Sequence, residues 1–397
     1  MPREARAAAA PRRIRTKPRG KKARKIIPFR FGQARLRSLI IESTEAFWAS
    51  VTEGDKDRMR AVHIRARNHE TAPQRENALA LYQLYAEHFV DGCKLDPRKI
   101  RPVLKLVTPR SIWEDLFRTV RWTWSMPYSA GYGRRLRFVV WDYRHRAVIG
   151  IIGLQSPPVD LSARDDLFEY PDGAKIDLIN RTLDAYTIGA IPPYSNLLGG
   201  KLVAGLVASN EVRQAYWAAY AGKRTEMKNC RIEQPLVAIT TTSAFGRSSI
   251  YNRLTFEGRP LAESIGYTRG TGSIHLEALY PHVLEFLRTR DPDLVAGGYG
   301  FGPKRKWQHF KHALDLLGLS RAYFDHGLRR EVFIYRLVSN LEDGMRGGNF
   351  GRALNLRAVD YARFWLQRWG IPRSERNTDW HDFDANNYFS QAFDVRQ

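Results

Sequence analysis

Cysteine is almost absent. Cys93 and Cys230 are the only two in 397 residues, too few for a disulfide framework or a four-ligand structural zinc site. Long apolar runs are missing too, since no stretch approaches the ~20 residues a membrane-spanning helix needs. The N-terminus is basic throughout and has no apolar core of a signal peptide. The expectation is a cytoplasmic protein with no membrane partner. Acid is scarce as well: 41 Asp+Glu stand against 64 Lys+Arg, a formal net charge of +23 and a pI near 10.2. Such an excess attracts polyanions, of which nucleic acid is the commonest. The expected partner is therefore nucleic acid, DNA in first place.

What is present divides the chain by composition. Residues 1–30 carry twelve basic residues and one acid, Glu4, among Ala, Pro and Gly. With no periodic apolar face they read as a disordered basic arm, and Arg12, Arg13, Arg15, Lys21 and Lys22 are its candidate phosphate contacts. Residues 31–130 read as a helical domain: Leu39, Ile40, Phe47, Trp48 and Val51 recur at helical spacing, as do Leu81, Leu84, Tyr85, Phe89 and Val90. Thr108 and Pro109 read as the start of a further helix through Trp124. From Leu136 the period shortens. Leu136–Trp141 and Ala147–Leu154 read as a hairpin around "DYRHR", and a strand ends at Ile191 before Pro192 and Pro193. A helix to about Gly222, the β-branched strand "PLVAITTTS", a short helix at "GRSSIYNRL" and two strands in "LAESIGYTRGTGSIHL" follow. Residues 131–340 thus read as an α/β core and 341–397 as a C-terminal extension. The fold class is α+β.

The Gly199-Gly200-Lys201 turn after Ile191 invites a phosphate-loop reading. The Walker A pattern fails, because Leu202 follows the lysine and no glycine lies at the earlier offset. The dinucleotide pattern fails on spacing. A helix opening at Asn196–Lys201 still offers free amides and a partial positive charge to an anion, or merely packs closely on its sheet. Asn196, Gly199, Gly200 and Lys201 are the candidate cofactor-binding residues, with the cofactor left open. This strand-turn-helix resembles the acetyltransferase superfamily called GNAT, whose turn carries R/Q-x-x-G-x-G/A. Asn196 and Lys201 depart from that pattern, so the likeness is one of element order over about 140 residues. It implies a GNAT-like mixed sheet with flanking helices.

Other residues could carry chemistry. Asp165 and Asp166 in "ARDDLF" are paired acids that could hold magnesium or cap a loop. Ser243, Tyr251 and neighbouring hydroxyls follow a strand and could meet phosphate oxygens. Arg269 lies among glycines in "GYTRGTGSIH", where it reads equally as a phosphate clamp and as a hairpin turn. His275 ends the same motif. Asp165, Ser243, Tyr251 and His275 are the catalytic candidates. Lys304, Arg305, Lys306 and Trp307 interleave base and aromatic, which suits unpaired bases. His309 and His312 lie one helical turn apart, without a third ligand in sight.

Four motifs, "SNLLGGKLVAGLVASNEVRQAY", "AITTTSAFGRSSIYNRL", "SIGYTRGTGSIH" and "KHALDLLGL", together resemble the DruA family of the Druantia anti-phage systems over roughly residues 100–340. The resemblance implies an anti-phage defence or mobile-element protein of bacteria or phage, working on nucleic acid, with other defence-system subunits as further partners. Three functions are compatible with the residues: a DNA-binding subunit, a DNA-modifying group-transfer enzyme with a GNAT-like core, and a magnesium-dependent nuclease or transposase-like enzyme.

Overall fold

The structure is a computed structural model and describes residues 31–71, 75–126, 131–226, 228–297 and 303–393. The basic arm lies outside them. Seven strands form one mixed sheet: β1 (Pro102–Leu106), β2 (Leu136–Asp142), β3 (Ala147–Gln155), β4 (Thr182–Ala190), β5 (Ala238–Thr242), β6 (Glu263–Tyr267) and β7 (Glu331–Arg336). Their spatial order is β1-β2-β3-β4-β5-β7-β6. Neighbours run antiparallel except β4 and β5, the one parallel pair of this sheet.

Local chemistry explains the centre. Every residue of β3 is buried, as its near-continuous apolar run requires of a strand covered on both faces. Asp142 closes the β2–β3 turn, its carboxylate accepting from the backbone N–H of Arg101 and Arg144, each at 3.0 Å. β4 is nine residues long, but only Thr182–Ala185 pair with β5. From Tyr186 onward β4 follows β3 alone, so the sheet splits at its middle. A mixed sheet with one central parallel pair is GNAT-like, as the order of elements implied.

The described helices are α1 (Gln33–Glu53), α2 (Lys56–Thr71), α3 (Arg75–Leu84), α4 (Ile112–Thr123), α5 (Gly199–Leu206), α6 (Asn210–Tyr220), α7 (Tyr280–Arg290), α8 (Pro303–Leu316), α9 (Ala358–Trp365) and α10 (Ala385–Phe393), besides shorter turns. One face of the sheet packs on α5, α6 and α9 through Leu202, Val203, Tyr216, Tyr361 and Trp365. The other packs on α3, α4 and α10 through Tyr82, Phe117 and Phe389. Helices α1, α7 and α8 share a separate apolar cluster around Ile40, Phe286 and Phe310.

Five local expectations change. Residues 102–106 are a strand inside the stretch expected to be helical, because Val103–Leu106 finds β2 as a partner. Helix α4 starts at Ile112 after Ser111, since Arg110 takes a left-handed conformation that breaks the turn from Pro109. The expected single helix to Gly222 is two, broken at Val207–Ser209. "GRSSIYNRL" is a run of turns rather than a helix, and "SIH" after β6 is a turn rather than a second strand.

Candidate nucleic-acid interface

The helix start at Gly199 is covered by the chain itself. A Cβ on Gly199 would stand 2.6 Å from the carbonyl oxygen of Tyr194, so glycine is there for close packing. Lys201 Nζ donates to the carbonyls of Ser249, Ile250 and Asn252 at 3.2, 3.3 and 2.8 Å and lies over the Trp369 ring. Ile250 sits over Gly200. Arg373 Nε donates to the Asn196 carbonyl, and Trp365 Nε1 to that of Leu198. The turn of residues 249–252 and the C-terminal helices thus stand where an anion would approach.

Each catalytic candidate is engaged by its own surroundings in the fold. Asp165 accepts from Arg164, pairs with Lys175 at 3.0 Å and takes the Leu161 N–H at 2.9 Å, which together hold its carboxyl below the usual carboxylate range against burial. Lys175 also pairs with Asp160. These acids are neutralised by bases, and among the described residues no group of three or more His, Cys, Asp or Glu could hold a metal. Asp142 lies at the far end of β3, engaged by Tyr194 and His145. Ser243 is buried and donates to the Gly246 carbonyl. Tyr251 is buried against Phe333, which pushes its hydroxyl up to about 12. His275 Nε2 meets the Tyr323 carbonyl at 2.9 Å.

The basic-aromatic segment is partly tied down. Lys306 pairs with Glu277 and lies over the Tyr280 ring, and Arg305 donates to the Val295 carbonyl. Trp307 is 39% exposed and packs edge-on to Phe324. Lys304 sits in the first turn of α8. Arg12, Arg13, Arg15, Lys21 and Lys22 lie outside the described residues.

Arg269 is exposed and belongs to a cluster that the sequence hides. Three loops meet at one end of β5, β6 and β7. Glu331 N–H donates to Gly246, Ser243 N–H to Glu331, Thr268 N–H to Arg330, and Gly327 N–H to Gly270. Arg330 N–H returns to the Thr268 hydroxyl. This lacing brings Arg247, Arg269, Arg329 and Arg330 together from three segments. Exposed Arg247 lies beside the Tyr267 hydroxyl, and exposed Arg329 lies over the same ring at 5.6 Å.

Beside them lies the split in the sheet. Asp184, on β4 opposite Thr240, accepts from Gln155 Nε2 and the Thr240 hydroxyl, each at 3.0 Å. Burial nevertheless holds its carboxyl above the usual range, against those bonds and the charges of Arg164 and Arg330. Arg164 is saturated by Asp165 and the carbonyls of Pro158 and Val159. Arg330 is not: its Nε is buried without a partner. Arg329 and Arg330 carried no motif. A signal existed only in "GLRRE", adjacent arginines at a strand start, which single-sequence reading does not separate from ordinary surface charge.

A GNAT-like α+β protein is thereby defined, its sheet opened between β4 and β5 and rimmed by arginines at one end. A family model described as Druantia protein DruA matches residues 53–347. A Druantia protein DruA of Escherichia coli (strain UMEA 4076-1) is 36% identical over 339 residues, covering 84% of each chain. The chain belongs to the DruA family. No solved structure matches it.

Proposed function

We propose that this protein is a nucleic-acid-binding component of an anti-phage defence system, acting beside other subunits and holding DNA through its arginine cluster. Family membership supports the defence setting. The single observation that carries the binding reading is the convergence of Arg247, Arg269 and Arg329 on the loops around Tyr267. Guanidinium groups in one patch suit a row of phosphates, since each offers a planar fork of donors. Binding then follows counterion release. Replacing these three arginines by Ala should weaken duplex binding and lower the slope of log K against log salt by roughly 2–3. Removing residues 1–30 should lower the slope further. A slope unmoved by the triple replacement would reject the reading.

A second reading, a DNA-modifying group-transfer enzyme, rests on the parting of β4 and β5 beside Asp184. Its cofactor residues Asn196, Gly199, Gly200 and Lys201 would first have to shed residues 249–252. Calorimetry of the full chain with coenzyme A tests it, and no detectable heat ends it.

A further inference from the structure

Arg330 is the one guanidinium of the cluster that turns inward. Its residue is half-buried and its Nε is enclosed without a hydrogen-bond partner. No ion pair or hydrogen bond reaches its side chain from any described residue. A guanidinium keeps its charge at any pH a protein survives, so the fold carries an unpaired cation, a costly thing. Asp184 is near enough for each charge to act on the other, yet the two do not pair. Asp184 has spent one lone pair of each oxygen on Gln155 and Thr240; further lone pairs remain. Gln155 Oε1 is also buried without a partner. Tyr132, 37% exposed, lies within the field of Asp184 and Arg164, and its hydroxyl is pushed up to about 12, first by burial.

We infer that the end of the sheet where the unpaired Arg330 faces the charge of Asp184 is a binding site for one nucleotide. The unpaired guanidinium takes the phosphate, and Asp184 with Gln155 Oε1 accepts N–H or O–H donors of the base or sugar. A ligand carrying both an oxyanion and several donors answers the guanidinium and the carboxylate together. A simple anion would answer Arg330 but be repelled by Asp184. The inference rests on the proposed DNA-binding face, because Arg330 directly follows Arg329 of that face. It adds that this face takes an unpaired nucleotide, which duplex contacts alone do not need.

The test uses the full chain with deoxynucleoside 5′-monophosphates, inorganic phosphate, a short single-stranded oligonucleotide and the matching duplex. Calorimetry should detect a mononucleotide, and Arg330→Met should weaken it by about tenfold or more, as expected for a lost charged hydrogen bond. Asp184→Asn should weaken mononucleotides by about tenfold while leaving inorganic phosphate unchanged or tighter, because a like charge is gone. Without ligand, Arg330→Met should melt at or above the wild-type temperature, since it removes an unpaired charge. Single-stranded binding that falls with Arg330→Met assigns the nucleotide to a strand. A fall confined to mononucleotides assigns it to a free nucleotide. The inference is overturned if no mononucleotide binds at millimolar concentration. It is also overturned if Arg330→Met lowers the melting temperature and leaves binding intact. Loss of duplex binding in the Arg247, Arg269 and Arg329 variant, with Arg330→Met harmless, would reject the nucleotide site and keep the outer face.

Discussion

His63, His275 and His326 surround Phe47, with ring centroids 6.5, 5.8 and 6.1 Å from it. All three are buried. Neither nitrogen of His63 has a partner. Burial lowers their pKa values from 6.5 to about 4, about 4 and about 3, and Arg330 adds to the effect on His63 and His326. A histidine with a depressed folded value is neutral in the fold and protonates first when unfolded. Its contribution is intact above pH 6.5 and drains away as pH falls toward 4 and 3. At pH 5 the loss from His63 alone is about 2 kcal/mol, taking 1.36 kcal/mol per pKa unit. Thermal melting should therefore drop steeply between pH 7 and pH 5, and His63→Leu should shallow that drop. Parallel curves for the two proteins would show that these imidazoles do not set acid stability.

Among elements, α5 shows how a helix start becomes structural. Lys201 is half-buried, and its ammonium supplies donors to three carbonyls of a turn that has no helix of its own. Burial lowers the Lys201 pKa, with Arg253 adding to it. Lys201→Met keeps the stem but orphans those carbonyls, and should cost about 1–3 kcal/mol in a denaturant titration. Gly205, on the same helix, would put a Cβ 1.9 Å from the Tyr361 ring. Gly205→Ala should cost at least as much by overpacking, about 1–3 kcal/mol or more. Equal midpoints for wild type and both variants would reject this account of α5.

For the whole molecule, the C-terminal helices belong to the sheet's core. Tyr361 and Trp365 of α9 are fully buried. The Tyr361 hydroxyl donates to the Lys201 carbonyl at 2.9 Å, and Phe389 of α10 stacks on Tyr82 at 4.4 Å. The family match ends at residue 347, yet truncation after Asn340 would open cavities on both faces of the sheet. Phe/Trp losses alone cost ~3–5 kcal/mol each, comparable to a domain's whole stability. The truncated chain should lose near-ultraviolet circular dichroism and become protease-sensitive throughout. A native-like spectrum would show that the sheet stands without its last helices.

Composition and period were enough for the α+β class, the β2–β3 hairpin and the strand into Ile191, and four quoted motifs carried the family likeness, because these depend on residues close in the chain. The excess of base gave the expectation of a polyanion partner by the same token. Single-sequence reading did not place β1, whose five residues become a strand only beside β2, nor the end of α5 at Leu206. Arg269 was legible as a candidate; its companions Arg247, Arg329 and Arg330 come from segments up to 83 residues apart in number and meet only through the loops between β5, β6 and β7. The fate of Gly199 and Lys201 turned on the same cause. Local sequence offered an open helix end, and only long-range packing put residues 249–252 and Trp369 over it. Backbone conformation follows from near neighbours, but which charge stays unpaired and which is covered depends on distant segments competing for the same space.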